Sequence, residues 1–374
     1  MSIVRLASDL VAIDSVNPSL VPGGAGEGAV ADFLAAWLRR AGFDVELTEV
    51  APGRPNVVAL ADGSSGGPTR LLCGHTDTVG VEGMAAPFAP VVRDGRLYGR
   101  GSQDMKGGLA AMMTAAANWL SLGRRGAGRV IVAGVADEEY ASLGADAFAG
   151  RWRADEAVIT EPTDLAVGVA HKGFSCAEIT VYGRAAHGSR PRDGRDAIMA
   201  MGRVLGRLET LDRLLQSSAP HARLGVASLH AGRIHGGTEL SVYPARAVLE
   251  MERRTLPGEP VDVAVSELQA IVREIAVEDP EFHADVRLLL ARPAYETPGE
   301  APVIGRLASA VRARLGEARV EGVSFWTDAA ILGAAGTPTV LFGPRGAGLH
   351  SHEEHVLVDD LSACADVLQL WLES

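Results

Sequence analysis

The chain has 374 residues, 47% of them hydrophobic and 22% charged, the proportions of a globular protein long enough for two domains. Lysine and arginine total 35 against 47 acids, a formal charge of −12 that repels phosphate backbones and anionic bilayers and, with no basic run, excludes a nucleic-acid or membrane-surface role. No apolar stretch approaches the ~20 residues that span a bilayer, the opening MSIVRLASDLVAIDS carries Asp9 and Asp14 and does not read as a signal peptide, and the widely spaced Cys73, Cys176 and Cys364 suit a reducing cytoplasm better than a disulfide framework.

In chain order, Val4, Leu6, Leu10 and Val11 fall at helical spacing before a break at Asn17-Pro18, and 29–41 (AVADFLAAWLRRA) repeats the pattern. Short apolar runs punctuated by glycine and proline follow: 45–50, 56–61, 70–73, 130–135, 157–160 and 339–342. Several are apolar at consecutive positions, as strands covered on both faces are. The helix predicted over 107–122 (GGLAAMMTAAANWLSL) separates two of them, which points to an open, largely parallel α/β sheet. The glycine-rich stretches 23–28 and 63–67 read as loops. From about Gly173 the order becomes strand 175–182, helix 196–215, strands 226–233 and 247–253, helix 261–277 and strand 283–290, the βαββαβ order of a ferredoxin-like unit. A helix over 303–315, the strand 339–342 and a helix over 361–372 restore the α/β pattern. The expected architecture is an α/β domain over 1–173 and 291–374, interrupted by an inserted ferredoxin-like α+β domain over 174–290.

Open α/β sheets bind ligands beyond the carboxyl ends of their strands, and there the chemistry-bearing residues of this chain fall. Strand 70–73 leads into Gly74-His75-Thr76-Asp77, 130–135 into Asp137-Glu138-Glu139, and 157–160 into Glu161-Pro162. Strand 339–342 leads through Gly343-Pro344 and a short loop into His350, while Asp104 follows Gly99-Arg100-Gly101 and precedes the helix at Gly107. Singly, each has an ordinary alternative: a lone histidine is most often a satisfied structural or surface residue, and paired glutamates at a strand end a solvated turn. Together they bring two imidazoles and three or more carboxylates to one rim, the donor set of a borderline divalent ion such as Zn²⁺. Five donors exceed the three protein ligands of one catalytic zinc, and two ions ~3.5–4 Å apart that share a carboxylate use them all.

The ordered set His75-Thr-Asp77, Gly101-Ser-Gln-Asp104-Met-Lys106-Gly107-Gly108, Asp137-Glu138-Glu139, Glu161-Pro162-Thr163-Asp164-Leu165 and His350 resembles the M20 metallopeptidase family almost end to end. That group includes acetylornithine deacetylase, succinyl-diaminopimelate desuccinylase, glutamate carboxypeptidase and aminoacylase. The resemblance implies a catalytic α/β domain with an inserted lid or dimerisation domain, and two divalent metal ions: Zn²⁺, with Co²⁺ or Mn²⁺ as alternatives. It implies that His75 and Glu161 bind one ion, Glu139 and His350 the other, and Asp104 both. Glu138 would be the general base, Asp77 would orient the His75 imidazole, and a cis peptide would follow the bridging acid at Asp104-Met105. In the lid motif Gly183-Arg-Ala-Ala-His187-Gly-Ser, His187 would reach the partner subunit's site and stabilise the tetrahedral oxyanion; its alternative is a capping or surface histidine. Arg254, in Glu252-Arg-Arg254-Thr-Leu-Pro-Gly, would grip a substrate carboxylate through its guanidinium fork; its alternative is one more surface arginine. Among His350, His352 and His355 chemistry alone does not choose. The family pattern of His, three residues, Glu, one residue, Val selects His350, makes Glu354 the downstream acid, and leaves His352 and His355 exposed.

Two departures stand out. Ser241 occupies a position where many relatives carry Asn, and before Asp328 this chain has Phe325 and Trp326 where relatives are glycine-rich. These aromatics either wall an apolar pocket or belong to the core. The expected activity is metal-dependent hydrolysis of the amide bond of a small N-acyl-amino acid with a free α-carboxylate, and Glu161, where aminopeptidase relatives tend to have Asp, favours deacylases and carboxypeptidases. A metallo-carboxypeptidase or dipeptidase would use the same centre, and a catalytically silent binding protein the same fold. The complete donor set argues against the last. The expected partners are a small-molecule substrate and a second copy of the chain, paired through an edge strand of the inserted domain.

Overall fold

The computed structural model describes residues 2–63, 66–121 and 128–374; positions 64 and 65 of the 63–67 loop and position 122 of the expected helix lie outside the described residues. The chain divides into two compact units, one formed by Met1–Val169, Thr297–Gly322 and Thr327–Ser374, the other by Ala170–Glu296 and Val323–Trp326.

In the first unit the Ser2 hydroxyl accepts the Arg5 N–H and caps the helix Ile3–Val11, which buries Leu6, Leu10 and Val11. The helix Gly28–Ala41 stops at Gly42, whose φ of 99° is the left-handed conformation glycine tolerates at a helix end. The main sheet runs Asp44–Ala51, Arg54–Asp62, Arg129–Val135, Thr69–His75, Glu156–Ile159, Thr339–Leu341 and Val167–His171. Its centre, from Arg129–Val135 to Thr339–Leu341, is parallel. Antiparallel strands flank this parallel centre on both sides. The outermost strand Asp44–Ala51 is partly exposed along its length instead of being covered on both faces.

Register then builds the site. His75 stands opposite Val135, Cys73 opposite Ile159, and Ile159 opposite Leu341, so four strands end together at one rim. The helix Gly107–Ser121 packs on this sheet and against Val358–Glu373, with Trp119 and Trp371 in the core. Two glycines allow backbone to close on the rim: a Cβ at Gly108 would lie 2.0 Å from the Thr160 carbonyl oxygen, and one at Gly343 would lie 2.2 Å from that of Glu161. Elements not anticipated include the helices Leu143–Arg151 and Ala329–Ala334 and a four-stranded sheet of Val91–Arg93, Arg96–Tyr98, Gly346–Ala347 and His355–Leu357.

The second unit follows the βαββαβ order: strand Gly173–Tyr182, helix Ala197–Gln216, strands Ser228–Gly236 and Arg246–Thr255, helix Val263–Glu278 and strand His283–Arg292. Its four strands pair antiparallel in the order Ser228–Gly236, Arg246–Thr255, Gly173–Tyr182, His283–Arg292. Asp196 caps the first helix through the N–H groups of Ile198 and Met199. Ile179, Met201, Val204, Leu249, Leu268 and Ile275 fill the space between helices and sheet. Trp326, also in this unit, is buried with its indole N–H donating to the Pro293 carbonyl at 3.0 Å and its ring edge-on to His171 and Phe174. Phe325 is half-buried.

Candidate metal centre

Each side chain at the rim is delivered by the end of an element. His75 is the last residue of its strand and Asp77 lies just past it; Glu138 and Glu139 sit in the turn after Val135, and Glu161 follows Glu156–Ile159. Asp104 sits in a short π-type turn, Ser102–Lys106, where Asp104 and Met105 leave helical φ/ψ and share a cis peptide bond. His350, with φ 58°, is carried on the loop between the strands Gly346–Ala347 and His355–Leu357.

The geometry centres on Asp104. Its Oδ1 lies 3.0 Å from His75 Nε2 and its Oδ2 lies 3.3 Å from His350 Nε2. Beside the first imidazole stands Glu161, 4.0 Å from His75 Nε2; beside the second stands Glu139, 3.3 Å from His350 Nε2. The five residues expected to ligate are therefore gathered in the first unit as two imidazole–carboxylate pairs on either side of one aspartate. Donor atoms of His75, Glu138 and Glu161 also lie within 4.8 Å of one another, so Glu138 reaches the same space. The two imidazoles differ in setting: the His75 side chain is 1% exposed and that of His350 is 53% exposed.

Electrostatics describe a cluster short of positive charge. Burial, then the nearby Glu161, raises Glu138 well above the ordinary carboxylate range; burial, then Asp104, raises Glu139. Glu161 is likewise driven up, by burial first and by Asp104, Asp328 and Glu139 against the pull of His75. His350 is pushed up to about 10 by Asp104 and Glu139. No lysine or arginine among the described residues pairs with Asp104, Glu138, Glu139 or Glu161, and Glu139 Oε1 is buried without a hydrogen-bond partner. Imidazole and carboxylate donors at these separations, with one orphaned oxygen, fit a pair of divalent cations.

Asp77 supports the cluster from behind. Its oxygens accept the N–H groups of Glu138 and Glu139, each at 3.1 Å, and Oδ1 lies 3.5 Å from His75 Nδ1, which also contacts the Asp77 carbonyl oxygen at 3.0 Å. Burial works to raise Asp77, but the bonds from His75 and Asn17 hold its carboxyl below the ordinary range.

Glu354 does more than the motif discloses. Buried at the foot of the His350 loop, it accepts the N–H groups of Gly101 (3.0 Å), Gln103 (2.9 Å) and Asp104 (3.1 Å) and pairs with Arg100 at 2.6 Å. His352 is exposed, whereas His355, expected to be exposed, is half-buried with its ring 5.0 Å from that of Tyr98.

His187 and Arg254 lie in the second unit. His187 is exposed and its Nδ1 contacts the Ser189 hydroxyl at 2.8 Å. The guanidinium of Arg254 donates to Glu252 at 2.6 Å and lies 5.8 Å from the Phe174 ring centroid. Ser241 is exposed, its carbonyl accepting the Gly188 N–H at 2.6 Å. The three cysteines are free thiols, and no helix among the described residues is long and apolar enough to cross a membrane.

Residues 71–374 match peptidase family M20/M25/M40. The acetylornithine deacetylase of Myxococcus xanthus is 34% identical over 348 residues, covering 90% of this chain and 89% of its own. Among solved structures, a tripeptidase from Staphylococcus aureus superposes with a TM-score of 0.83 at 20% identity, over 99% of this chain and 97% of its own. A dinuclear metal-binding M20 peptidase from Bacillus subtilis gives 0.75 at 19% identity, over 99% and 96%. With both sequence and fold matched over nearly their whole length, the chain belongs to peptidase family M20/M25/M40 and is a hydrolase of that family.

Proposed function

We propose that this hydrolase cleaves the amide bond of a small N-acyl-amino acid bearing a free α-carboxylate, in the manner of an acetylornithine deacetylase. The observation that carries the reading is the pair of oxygens of Asp104, one facing His75 beside Glu161 and the other facing His350 beside Glu139. His75 and Glu161 would hold one divalent ion, Glu139 and His350 the second, and Asp104 both. The ions, proposed as Zn²⁺ with Co²⁺ and Mn²⁺ as substitutes, would supply Lewis acidity toward the scissile carbonyl and lower the pKa of the attacking water.

The chain's own residues do the proton work. Glu138, half-buried and crowded by Glu161, holds a proton more readily than an ordinary carboxylate and is within reach of the His75–Glu161 pair. It would take a proton from the attacking water and return it to the amide nitrogen, which must be protonated before the C–N bond breaks. Asp77, accepting the N–H groups of both glutamates, fixes where their side chains start. His187 and Arg254 are proposed as substrate-binding groups on the family resemblance. Arg254 has the fork to hold a carboxylate, and Glu252 is the competitor a substrate displaces.

Similarity to the deacetylase of Myxococcus xanthus supports the deacylase reading. The test is a panel of N-acetyl-, N-succinyl- and N-formyl-amino acids run beside dipeptides, on enzyme stripped by chelation and reloaded with Zn²⁺, Co²⁺ or Mn²⁺. Turnover of acyl-amino acids that chelation abolishes and metal restores is expected; preferential cleavage of dipeptides overturns it. We also propose a homodimer, formed along the exposed edge strand Ser228–Gly236, which light scattering tests. A cytoplasmic location is proposed on the three unpaired thiols.

A further inference from the structure

The turn after Val135 carries Glu138 and Glu139, and its backbone is unusual: Asp137 has φ 72° and Ser142 φ 56°, although neither is glycine. Such a turn persists only where its surroundings over-determine it. Three successive N–H groups are received by two buried carboxylates from elsewhere in the unit: that of Asp137 by Glu27 Oε1 at 3.1 Å, and those of Glu138 and Glu139 by the two oxygens of Asp77. Glu27 is itself locked to Arg54 by two bonds of 2.6 and 2.8 Å, and Arg54 also pairs with the Asp137 carboxylate at 2.8 Å.

Between Asp77 and Asp137 stands Asn17, fully buried and 60 and 120 residues away in sequence. Its side-chain amide donates to Asp77 Oδ2 at 2.8 Å and to Asp137 Oδ1 at 3.0 Å, using both hydrogens of one nitrogen on two carboxylates. The amide oxygen accepts the N–H groups of Ser19 (2.9 Å) and Leu20 (3.4 Å), so the group has one workable orientation: turned over, it would aim its oxygen at two carboxylates and its hydrogens at two donors. An aspartate here would add a fourth carboxylate to Glu27, Asp77 and Asp137, of which Arg54 pairs with the first and last and His75 stands beside Asp77. An alanine would leave two buried carboxylates facing each other with a donor removed from each.

We infer that Asn17 is a positioning residue for the glutamate pair. By tying Asp77 to Asp137 it holds the turn in the one conformation that aims Glu138 and Glu139 at the rim. The inference rests on the reading of Glu138 as base and Glu139 as ligand. It assigns Asn17 no contact with substrate or ion.

The full-length wild type is compared with Asn17→Ala and Asn17→Ser, the serine keeping a single donor. Bound Co²⁺ is titrated by competition and its visible spectrum recorded, and kcat and KM are measured on an N-acetyl-amino acid. The expected result is a cation affinity and a kcat each lowered ~10–100-fold, with KM unchanged, an altered Co²⁺ spectrum and native circular dichroism, Asn17→Ser lying between alanine and wild type. Variants that are merely less heat-stable, with wild-type kcat, affinity and spectrum, overturn it. Hydrogen exchange on the wild type adds a readout independent of whether the variants fold: protected Glu138 and Glu139 amides support the inference, and exchange at open-loop rates overturns it. A wild type that binds no divalent ion and cleaves no member of the panel removes the underlying reading as well, whereas an active wild type with unaffected variants removes only the role of Asn17.

Discussion

Glu354 accepts the backbone N–H of Asp104 at 3.1 Å, across 250 residues of chain. The same carboxylate holds the N–H groups of Gly101 and Gln103 and the Arg100 guanidinium, with under a twentieth of either charged side chain exposed. Breaking a buried, hydrogen-bonded ion pair from one side costs about 3–5 kcal/mol. Glu354→Ala is therefore expected to lower the stability of the metal-free protein by about that amount, read by denaturant titration. Glu354→Gln, which keeps one acceptor oxygen, should lose less. Equal stability of alanine variant and wild type would show that the loop around Asp104 does not depend on this residue.

Glu138→Gln preserves shape and removes the proton shuttle. Hydrolysis is expected to fall by at least ~10²-fold while metal content, measured by elemental analysis, stays the same. Near-normal turnover takes Glu138 out of the mechanism; loss of one metal equivalent instead makes it a ligand, a role its proximity to His75 and Glu161 permits on geometry alone.

Gly343 tests the rim from the opposite strand. A Cβ there would stand 2.2 Å from the Glu161 carbonyl oxygen and 2.8 Å from that of Thr160, both backbone atoms that cannot step aside cheaply. Gly343→Ala is expected to cost about 1–3 kcal/mol, as overpacking does, and to weaken cation binding because the strain falls on the peptide bearing Glu161. A variant destabilised with unchanged metal affinity would confine the effect to packing.

His171, the last residue of the strand Val167–His171, provides a pH handle that involves none of the proposed metal ligands. It is wholly buried, with Nδ1 2.9 Å from the Lys172 carbonyl oxygen and with Trp326 and Tyr295 against its ring, and burial lowers it to about 4. Because the unfolded chain takes up this proton near pH 6.5 and the folded chain only near 4, the contribution is intact above pH 6.5. It is lost as pH falls toward 4, on the order of 3 kcal/mol in all. His171→Gln should flatten that part of the pH dependence of unfolding relative to wild type, with Trp326 fluorescence as the reporter. Parallel pH curves for the two proteins would contradict this.

The rim was legible in the sequence because burial on both faces leaves a mark: 70–73, 130–135 and 157–160 are apolar at every or nearly every position, and polar residues resume where each strand ends. The antiparallel flanks were not, since Asp44–Ala51 is partly exposed and its mixed composition carries no sign of which neighbour it pairs with. The small sheet built from Val91–Arg93 and its three partners was equally hidden, because strands of two or three residues show no period. Asn17 and Arg54 escaped notice for another reason. Each looks like an ordinary loop or strand-edge residue, and its meaning lies in partners far along the chain. The acid at 354 was visible as part of a pattern, but the three N–H groups it gathers belong to a turn that no periodicity announces.

The first unit is written into the chain in three separate pieces, and the strand Thr339–Leu341, which pairs with Glu156–Ile159, arrives only with the last. A ribosome therefore releases the contiguous stretch Ala170–Glu296 while the earlier sheet still has an open edge at Glu156–Ile159. At ~5–20 residues per second that edge waits on the order of ten seconds for its neighbour, the interval in which nascent copies are most exposed to pairing with one another.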